Sequence, residues 1–171
     1  MSKVGIRTAW LFVSTLVVAV VLLYWLSPSS NQHTLTVAGT SMTPTLMPGD
    51  KVQLQTDSRE ELKRGDLVAI HFKTRPHPII KRIIAQAGDQ VEFVNNRLKL
   101  NGEYLNTSWW PDDKRLANRQ YKLLALQLSR YDNRVPKDSL IVMGDNSANS
   151  FDSGDFGMIS TDQLLGRATK K

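Results

Sequence analysis

The chain has 171 residues, no cysteine and a formal net charge of +6, and its hydrophobic (41%) and charged (22%) fractions are those of a folded protein. The lack of cysteine excludes thiol catalysis, disulfide bonds and cysteine-ligated metal. Basic residues are interspersed with acidic ones, as in REELKRGD, and this pattern argues against a nucleic-acid partner.

The N-terminal segment, residues 1–26, has the pattern of a membrane anchor. Its uncharged run Thr8–Leu26 would span about 28 Å as a helix, close to the hydrocarbon thickness of about 30 Å. Lys3 and Arg7 precede the run, so the positive-inside rule predicts a cytoplasmic N-terminus and an extracytoplasmic remainder. The alternative is a cleaved signal peptide, but the apolar core is long and Pro28 makes a poor cleavage site. We expect a single-pass protein of the inner or cytoplasmic membrane, with the lipid bilayer as a partner.

A polar linker, residues 27–33, leads to an extracytoplasmic domain, residues 34–171, that is predicted to be mainly β. Short alternating apolar runs are separated by Gly-Asp, Asn-Asn and Asn-Gly turn signals. The predicted strands lie in TLTVAG, GDKVQLQT, GDLVAIHF, PIIKRIIAQAGDQVEFV (two strands), NNRLKLNGEYL and SLIVMGDN. Residues 95–135 are irregular and have the character of an insertion. Within them, Arg119–Arg130 fits a helix or a strand equally well.

The histidines give no support for metal or triad chemistry. His33 lies in the linker, His71 alternates with apolar residues, and His77 lies between two prolines. None has metal-ligand spacing or a neighbouring nucleophile. No metal and no cofactor are therefore expected.

Lysine is the remaining base, and Lys81 is the unusual one because isoleucines surround it in PIIKRII. A lysine can act as a base only if burial or neighbours lower its pKa by about 3 units from about 10.4. The competing interpretation is a solvated lysine on an edge strand.

Ser41 is the candidate nucleophile. It begins SMTPTLMPGD, in which Pro44 fixes φ, Thr43 is biased to an extended backbone, and Gly49-Asp50 closes the turn. Such a support would hold a reactive side chain still. The competing interpretation is an ordinary turn serine.

Three separated motifs, in order, resemble those of the type I signal peptidases, membrane-anchored serine proteases with a Ser-Lys dyad. They are SMTPTLMPGD, IIKRI followed by GDQV, and GDNSANSFDSGDFG (Gly144 to Gly157). We refer to residues 144–157 as the third motif. The resemblance covers nearly the whole chain except about residues 95–135. It implies a mainly β, twisted-sheet signal peptidase fold, with an active site that faces the membrane.

The resemblance also implies roles for particular residues. Ser41 would be the nucleophile and Lys81 the general base, with the Lys81 amine oriented by a hydrogen bond to Ser150. Asp145 and Asp152 would hold the third motif, with Asp152 near the dyad. Arg82 would be structural.

Two departures from the family pattern stand out. Gly39 occupies the position, two residues before the nucleophile, where many relatives place a hydroxyl that stabilises the oxyanion. Gly154 occupies the position where the third motif usually has an arginine to pair with the aspartate. The Ser41 N–H is expected to be one oxyanion donor, the adjacent Thr40 is a candidate for the second, and Arg82 is a candidate replacement for the missing arginine.

The implied substrates are preproteins with small residues at the first and third positions before the scissile bond. Val37, Met42 and Ile80 are guessed, from adjacency, to line the substrate pockets. Trp109 and Trp110 could contact the bilayer surface or pack in the interior.

Three alternatives remain open at this point. A dedicated peptidase for a pilin precursor or another secretion substrate would keep the same dyad. A self-cleaving repressor also uses Ser-Lys chemistry, but this chain has an anchor where that family has a DNA-binding domain. A membrane-anchored scaffold without activity is the third, and intact Ser41, Lys81 and Ser150 argue against it.

Overall fold

The computed structural model describes residues 17–18, 32–56, 61–110 and 118–171. The predicted anchor lies outside these residues, apart from Val17 and Val18, and so does most of the linker. Within the described ranges, no helix combines the length and the apolar composition that crossing a membrane requires. Asn31–Lys171 form one compact unit.

The secondary structure is mainly β, as predicted. The strands are β1 (Gln32–Thr36), β2 (Lys51–Gln55), β3 (Leu67–Ile70), β4 (Ile79–Gln86), β5 (Val91–Val94), β6 (Arg97–Leu100), β7 (Glu103–Tyr104), β8 (Ser139–Met143), β9 (Ile159–Ser160) and β10 (Leu164–Lys170). The helices are α1 (Asn118–Leu128) and the single-turn α2 (Ser153–Phe156), with 3-10 turns at Ser129–Tyr131, Ser147–Asn149 and Thr161–Gln163. The segment that fitted helix or strand equally well is therefore helical.

Seven strands form one antiparallel sheet in the order β1-β2-β10-β3-β4-β8-β9. The C-terminal strand β10 inserts between β2 and β3, a long-range pairing that no local pattern in the sequence indicates. Strand β4 lies between β3 and β8. The interpretation of Lys81 as an edge-strand lysine is therefore wrong.

Strands β5, β6 and β7 form a second, three-stranded antiparallel sheet. Its two turns follow the sequence closely, because Asn95 and Asn96 take positive φ angles of 51° and 62° and Gly102 takes 87°. Two consecutive positive-φ residues are the geometry that tight hairpins require. The insertion-like region thus supplies β6, β7 and α1, between the neighbouring strands β4 and β8.

Both faces of the large sheet are covered. Successive residues on β4 alternate between two cores: Ile83 packs with Val68 and Val142, whereas Ile84 packs with Leu124 and the inserted elements. This alternation is the period-2 pattern of a strand that is buried on both sides. The long apolar run around Lys81 is explained by this double burial.

Trp110 belongs to the core beneath the insertion and is only 2% exposed. The suggestion that Trp110 contacts the bilayer is therefore wrong. Trp109 is partly buried against the same core and lies under the guanidinium of Arg82.

Candidate active site

Ser41 lies in a loop, residues 37–50, that joins β1 to β2 and that we call the nucleophile loop. Two backbone hydrogen bonds close its base: the Val37 N–H donates to the Asp50 carbonyl (2.9 Å), and the Gly49 N–H donates to the Val37 carbonyl (2.8 Å). The loop is therefore fixed at both ends to paired strands.

Apolar side chains hold the middle of the nucleophile loop. Met42 and Leu46 are buried against Val52, in a small core of their own. The Leu46 N–H also donates to the Met42 carbonyl (2.9 Å). Ser41, directly before Met42, is consequently presented from a packed support.

Lys81 lies on β4 with its Nζ atom 2.7 Å from Ser41 Oγ, within hydrogen-bond distance. Its side chain is only 3% exposed. Burial lowers the pKa of Lys81 from its ordinary 10.5 to about 8. The carboxylates of Asp152 and Asp145 oppose this lowering, whereas the charge of Arg75 adds to it.

The third motif runs alongside this pair. The Asn146 N–H donates to the Ser41 carbonyl (3.0 Å), and the Asn146 side chain donates to the Thr40 carbonyl (3.2 Å). The Asn149 side chain donates to the Thr40 hydroxyl oxygen (2.8 Å). Asn146 thus fixes the backbone carbonyls of Thr40 and Ser41, and Asn149 fixes the Thr40 side chain.

Gly144 lies at the point of closest approach. A Cβ atom there would overlap Ser150 Oγ and the carbonyl oxygen of Ser41. Only glycine lets β8 continue into the third motif this close to the nucleophile loop.

Arg82 and Asp145 form a buried ion pair behind the site. Arg82 Nε donates to Asp145 Oδ1 (2.8 Å) and Nη2 donates to Oδ2 (2.6 Å), while Nη1 donates to the Gly65 carbonyl (2.6 Å). The Thr45 hydroxyl also donates to Asp145. The cluster ties β4, the nucleophile loop and the third motif together.

Asp152 is held by backbone donors. Its carboxylate accepts from the N–H groups of Gly144 (3.0 Å) and Gly154 (3.1 Å), and it caps α2. The Asp152 N–H in turn donates to Asp155 (3.2 Å). Arg82, the candidate replacement for the missing arginine, pairs with Asp145 instead.

Ser150 is buried, at 7% exposure, beside Gly144. Its hydroxyl makes no hydrogen bond to any residue that the structure describes. The bond that we predicted from Ser150 to the Lys81 amine is therefore not formed in this structure, although Ser150 lies close to the nucleophile loop.

A cleft of about 540 Å³ opens at Ser41 and Lys81. It is lined by Thr34, Leu35, Thr36, Val37, Ala38, Gly39, Ser41, Met42, His77, Pro78, Ile79, Ile80 and Lys81. All three residues that we guessed to line the pockets, Val37, Met42 and Ile80, are among them. The cleft thus runs between the chain that follows β1 and the chain that enters β4.

The structure shows the surroundings of Gly39, the first departure from the family pattern, and of the neighbouring Thr40. Gly39 lines the cleft and has no atom within 4 Å of where a Cβ would lie, so a side chain would fit there. Thr40 is exposed and its hydroxyl oxygen is occupied by Asn149.

The sequence interpretation missed several residues that position the site. Thr45 and Asn149 were passed over because hydroxyl and amide residues in turns are common. Their order within SMTPTLMPGD and GDNSANS was the only signal. The sequence also showed no sign of the contact between Arg75 and Phe151, because nothing local pairs an arginine with an aromatic residue 76 positions later.

Comparisons with known proteins agree with the fold and the motif order. The family model described as "Signal peptidase, peptidase S26" matches residues 7–170. Signal peptidase I T of Bacillus subtilis (strain 168) is 34% identical over 133 residues, which cover 76% of this chain and 68% of that protein. Signal peptidase IB of Staphylococcus aureus (strain Mu50 / ATCC 700699) is 31% identical over 142 residues, 78% of this chain and 74% of that one.

A solved structure gives the same result. The signal peptidase I of Enterococcus faecalis V583 superposes with a TM-score of 0.50 at 25% identity, over 63% of this chain and 97% of that chain. The family match spans nearly the whole sequence. The chain therefore belongs to the signal peptidase family, peptidase S26, and is a serine endopeptidase of the signal peptidase I type that acts in signal peptide removal.

Proposed function

We propose that the protein is a membrane-anchored peptidase that removes signal peptides with a Ser41–Lys81 dyad. The observation that carries the proposal is the 2.7 Å approach of a buried lysine amine to a serine hydroxyl at the end of an open cleft. A lysine with a pKa of about 8 is about half neutral at pH 8, so it can accept a proton there.

The chemistry follows from this pair. As Ser41 Oγ attacks the scissile carbonyl, the neutral Lys81 amine takes its proton. The resulting ammonium gives that proton to the leaving amine as the peptide bond breaks, which leaves an acyl-enzyme ester on Ser41. Lys81 then takes a proton from water as the water oxygen attacks the ester, and it returns that proton to Ser41 Oγ as the ester bond breaks, which releases the second product and restores the free serine and the neutral amine. The Ser41 N–H is the proposed oxyanion donor.

The remaining site residues orient this pair. Asp145, through Arg82 and Thr45, links the lysine strand to the nucleophile loop. Asp152 holds the turn that carries Ser150. Ser150 packs its buried hydroxyl beside Gly144, the residue that the Ser41 carbonyl also approaches.

The cleft favours substrates with small residues before the scissile bond. Val37, Met42 and Ile80 restrict its volume, and a bulky substrate side chain would clash with them. The anchor would hold the catalytic domain on the extracytoplasmic side, against the bilayer that delivers preproteins.

The test is cleavage of a purified model preprotein with an Ala-x-Ala site, in detergent, read by product masses. We expect cleavage after the second alanine by wild type and by Lys51→Ala, which removes an exposed lysine on β2. Ser41→Ala and Lys81→Ala should each lose activity by about a thousandfold or more.

Other outcomes would change the proposal in defined ways. Cleavage that survives Ser41→Ala would refute the dyad. A folded wild type that leaves the model preprotein intact would refute the general role and favour a dedicated peptidase, for example for a pilin precursor. Release of the protein from membranes by alkaline extraction would refute the anchor.

A further inference from the structure

The chain between β3 and β4, residues 71–78, forms one side of the cleft, and we call it the cleft wall. His77 and Pro78 line the cleft, and Lys81 follows three residues later on β4. One backbone hydrogen bond ties the start of the wall to the 3-10 turn that precedes β10, from the His71 N–H to the Gln163 carbonyl (2.9 Å). The end of this segment therefore borders the cleft beside the lysine.

Two aromatic contacts join the cleft wall to the third motif. The guanidinium carbon of Arg75 lies 4.7 Å from the ring centroid of Phe151. Phe151 contacts Phe156 (5.4 Å between centroids), and Phe156 contacts Phe72 (5.0 Å) at the other end of the wall. The wall is thus attached at two points to the turn that carries Ser150 and Asp152.

The exposure of Phe151 supports a specific role for this contact. Phe151 is 48% exposed, which leaves much of a large apolar ring in water between two buried neighbours. An arginine over the face of such a ring is attracted to its π electrons. The stack explains why an aromatic ring is useful at an otherwise solvated position.

Arg75 also matters for the charge balance at Lys81. The carboxylates of Asp152 and Asp145, from the third motif, favour the ammonium form of Lys81, and Arg75 is the cation that opposes them. Arg82 is next to Lys81 in sequence, but it points to the other face of β4 and is paired with Asp145. Because Phe151 holds Arg75, the contact between the cleft wall and the third motif also fixes the position of this positive charge.

We propose that Arg75 is a positioning residue of the active site: stacked on Phe151, it fixes the cleft wall to the third motif and keeps a positive charge beside Lys81. This inference rests on the proposed role of Lys81 as the general base. It assigns a role in the active site to an arginine that lies outside the three motifs.

The test is the pH dependence of kcat and KM for Arg75→Gln, Arg75→Lys and Phe151→Leu. Loss of the charge in Arg75→Gln removes repulsion from the Lys81 ammonium, so the acid limb of kcat should move to higher pH. The ratio of kcat at pH 7 to kcat at pH 9 should then fall by about twofold or more, given that one whole pKa unit corresponds to tenfold. KM should rise severalfold because the wall is loosened.

The conservative variants separate charge from packing. Arg75→Lys keeps the positive charge, so the acid limb of its kcat–pH profile should lie at the same pH as in wild type. Phe151→Leu should raise KM and move the limb in the same direction as Arg75→Gln, because the guanidinium is no longer held. Arg97→Gln is the matched control, since Arg97 stacks on Tyr104 at 3.7 Å in the three-stranded sheet, and it should change neither quantity. Circular dichroism would verify that each variant is folded.

The failures of the two proposals are distinguishable. If Lys81→Ala retains activity, the dyad itself is refuted. If Lys81→Ala is inactive but Arg75→Gln has the same acid limb of kcat and the same KM as wild type, only the role of Arg75 is refuted. A limb that moves as far in Arg75→Lys as in Arg75→Gln would also overturn it, because charge would not be the cause.

Discussion

Arg82 and Asp145 form a two-point ion pair between β4 and the third motif, with side chains only 8% and 4% exposed. Withdrawing two charges from water is unfavourable, so such a pair is stable only when its remaining donors and acceptors are satisfied. Here the Gly65 carbonyl accepts a hydrogen bond from Arg82, and the Thr45 hydroxyl donates one to Asp145. The pair should therefore affect the free energy of unfolding most when one partner is removed and the other stays buried.

Asp145→Asn should lower the free energy of unfolding by about 3–5 kcal/mol, because it leaves the Arg82 guanidinium buried without its counter-charge. Urea denaturation of the detergent-solubilised protein would measure the loss. The control is Arg64→Gln, which breaks a more exposed pair with Asp89 and should cost about 1 kcal/mol or less. Equal losses in the two variants would contradict the assignment of Arg82–Asp145 as the central support.

The rate of cleavage should depend on pH through Lys81. The reactive form is the neutral amine, so kcat should rise about tenfold per pH unit below pH 8 and level off above it, near the lysine's pKa of about 8. Initial rates from pH 6 to pH 10 with an ester or peptide substrate would show this limb. A plateau extending down to pH 6 would be incompatible with Lys81 as the base.

Lys81→Met should produce an inactive but more stable protein. Folding lowers the pKa of Lys81 from 10.5 to about 8, so at neutral pH the folded state carries a buried ammonium that the unfolded state holds in water. The penalty is complete below pH 8, shrinks as pH rises from 8 to 10.5, and is absent above that range. It corresponds to about 3 kcal/mol.

The measurement for this variant is unfolding free energy as a function of pH. The gain of Lys81→Met over wild type should be largest at pH 7 and should narrow by pH 10. A gain that is independent of pH would indicate improved apolar packing alone. Loss of stability at pH 7 would show that the ammonium is better satisfied by Asp152 and Asp145 than its burial indicates.

The sequence predicted the local parts of this structure well and the long-range parts poorly. The Gly-Asp and Asn-Gly turns and the alternating strands depend on neighbouring residues, and they were found from those residues. Whether β4 is an edge or an interior strand depends on β8, which begins 53 residues after Gln86, so Lys81 could not be distinguished from a solvated lysine by its own segment. Only the motif order pointed to its pairing with Ser41.

In the third motif, too, the sequence predicted which residues matter but not which distant groups bind them. Its resemblance to a known pattern directed attention to Ser150 and Asp152, which the structure brings close to the nucleophile loop. It did not indicate that backbone N–H groups would bind the Asp152 carboxylate, nor that Asp145 would form an ion pair with Arg82. These partners come from segments that only the folded topology brings together.

Gly144→Ala should reduce kcat by about a hundredfold while the protein stays folded. The added methyl group would overlap the Ser150 hydroxyl and the Ser41 carbonyl, and the nucleophile loop would have to move. A displacement of about 1 Å at reacting groups can reduce the rate about a hundredfold. Steady-state kinetics, with circular dichroism as the folding control, would test this, and near-normal kcat would show that the loop adapts.

Gly39→Ser should increase kcat. Gly39 lines the cleft two residues before Ser41, and the space around its missing Cβ is open. A hydroxyl there could donate a hydrogen bond to the oxyanion, in addition to the Ser41 N–H. Removing one such donor elsewhere costs about a hundredfold or more, and a newly introduced, less well oriented donor should recover about three- to tenfold.

Gly39→Ala is the matched control for this last variant, because it adds the Cβ without the hydroxyl. If Gly39→Ala and Gly39→Ser raise kcat equally, the gain comes from filling the cleft and not from a hydrogen bond. If both lower kcat while KM rises, the open space at Gly39 is occupied by the substrate backbone. In that case glycine is needed there for close approach of the substrate, and the second oxyanion donor must come from another part of the site.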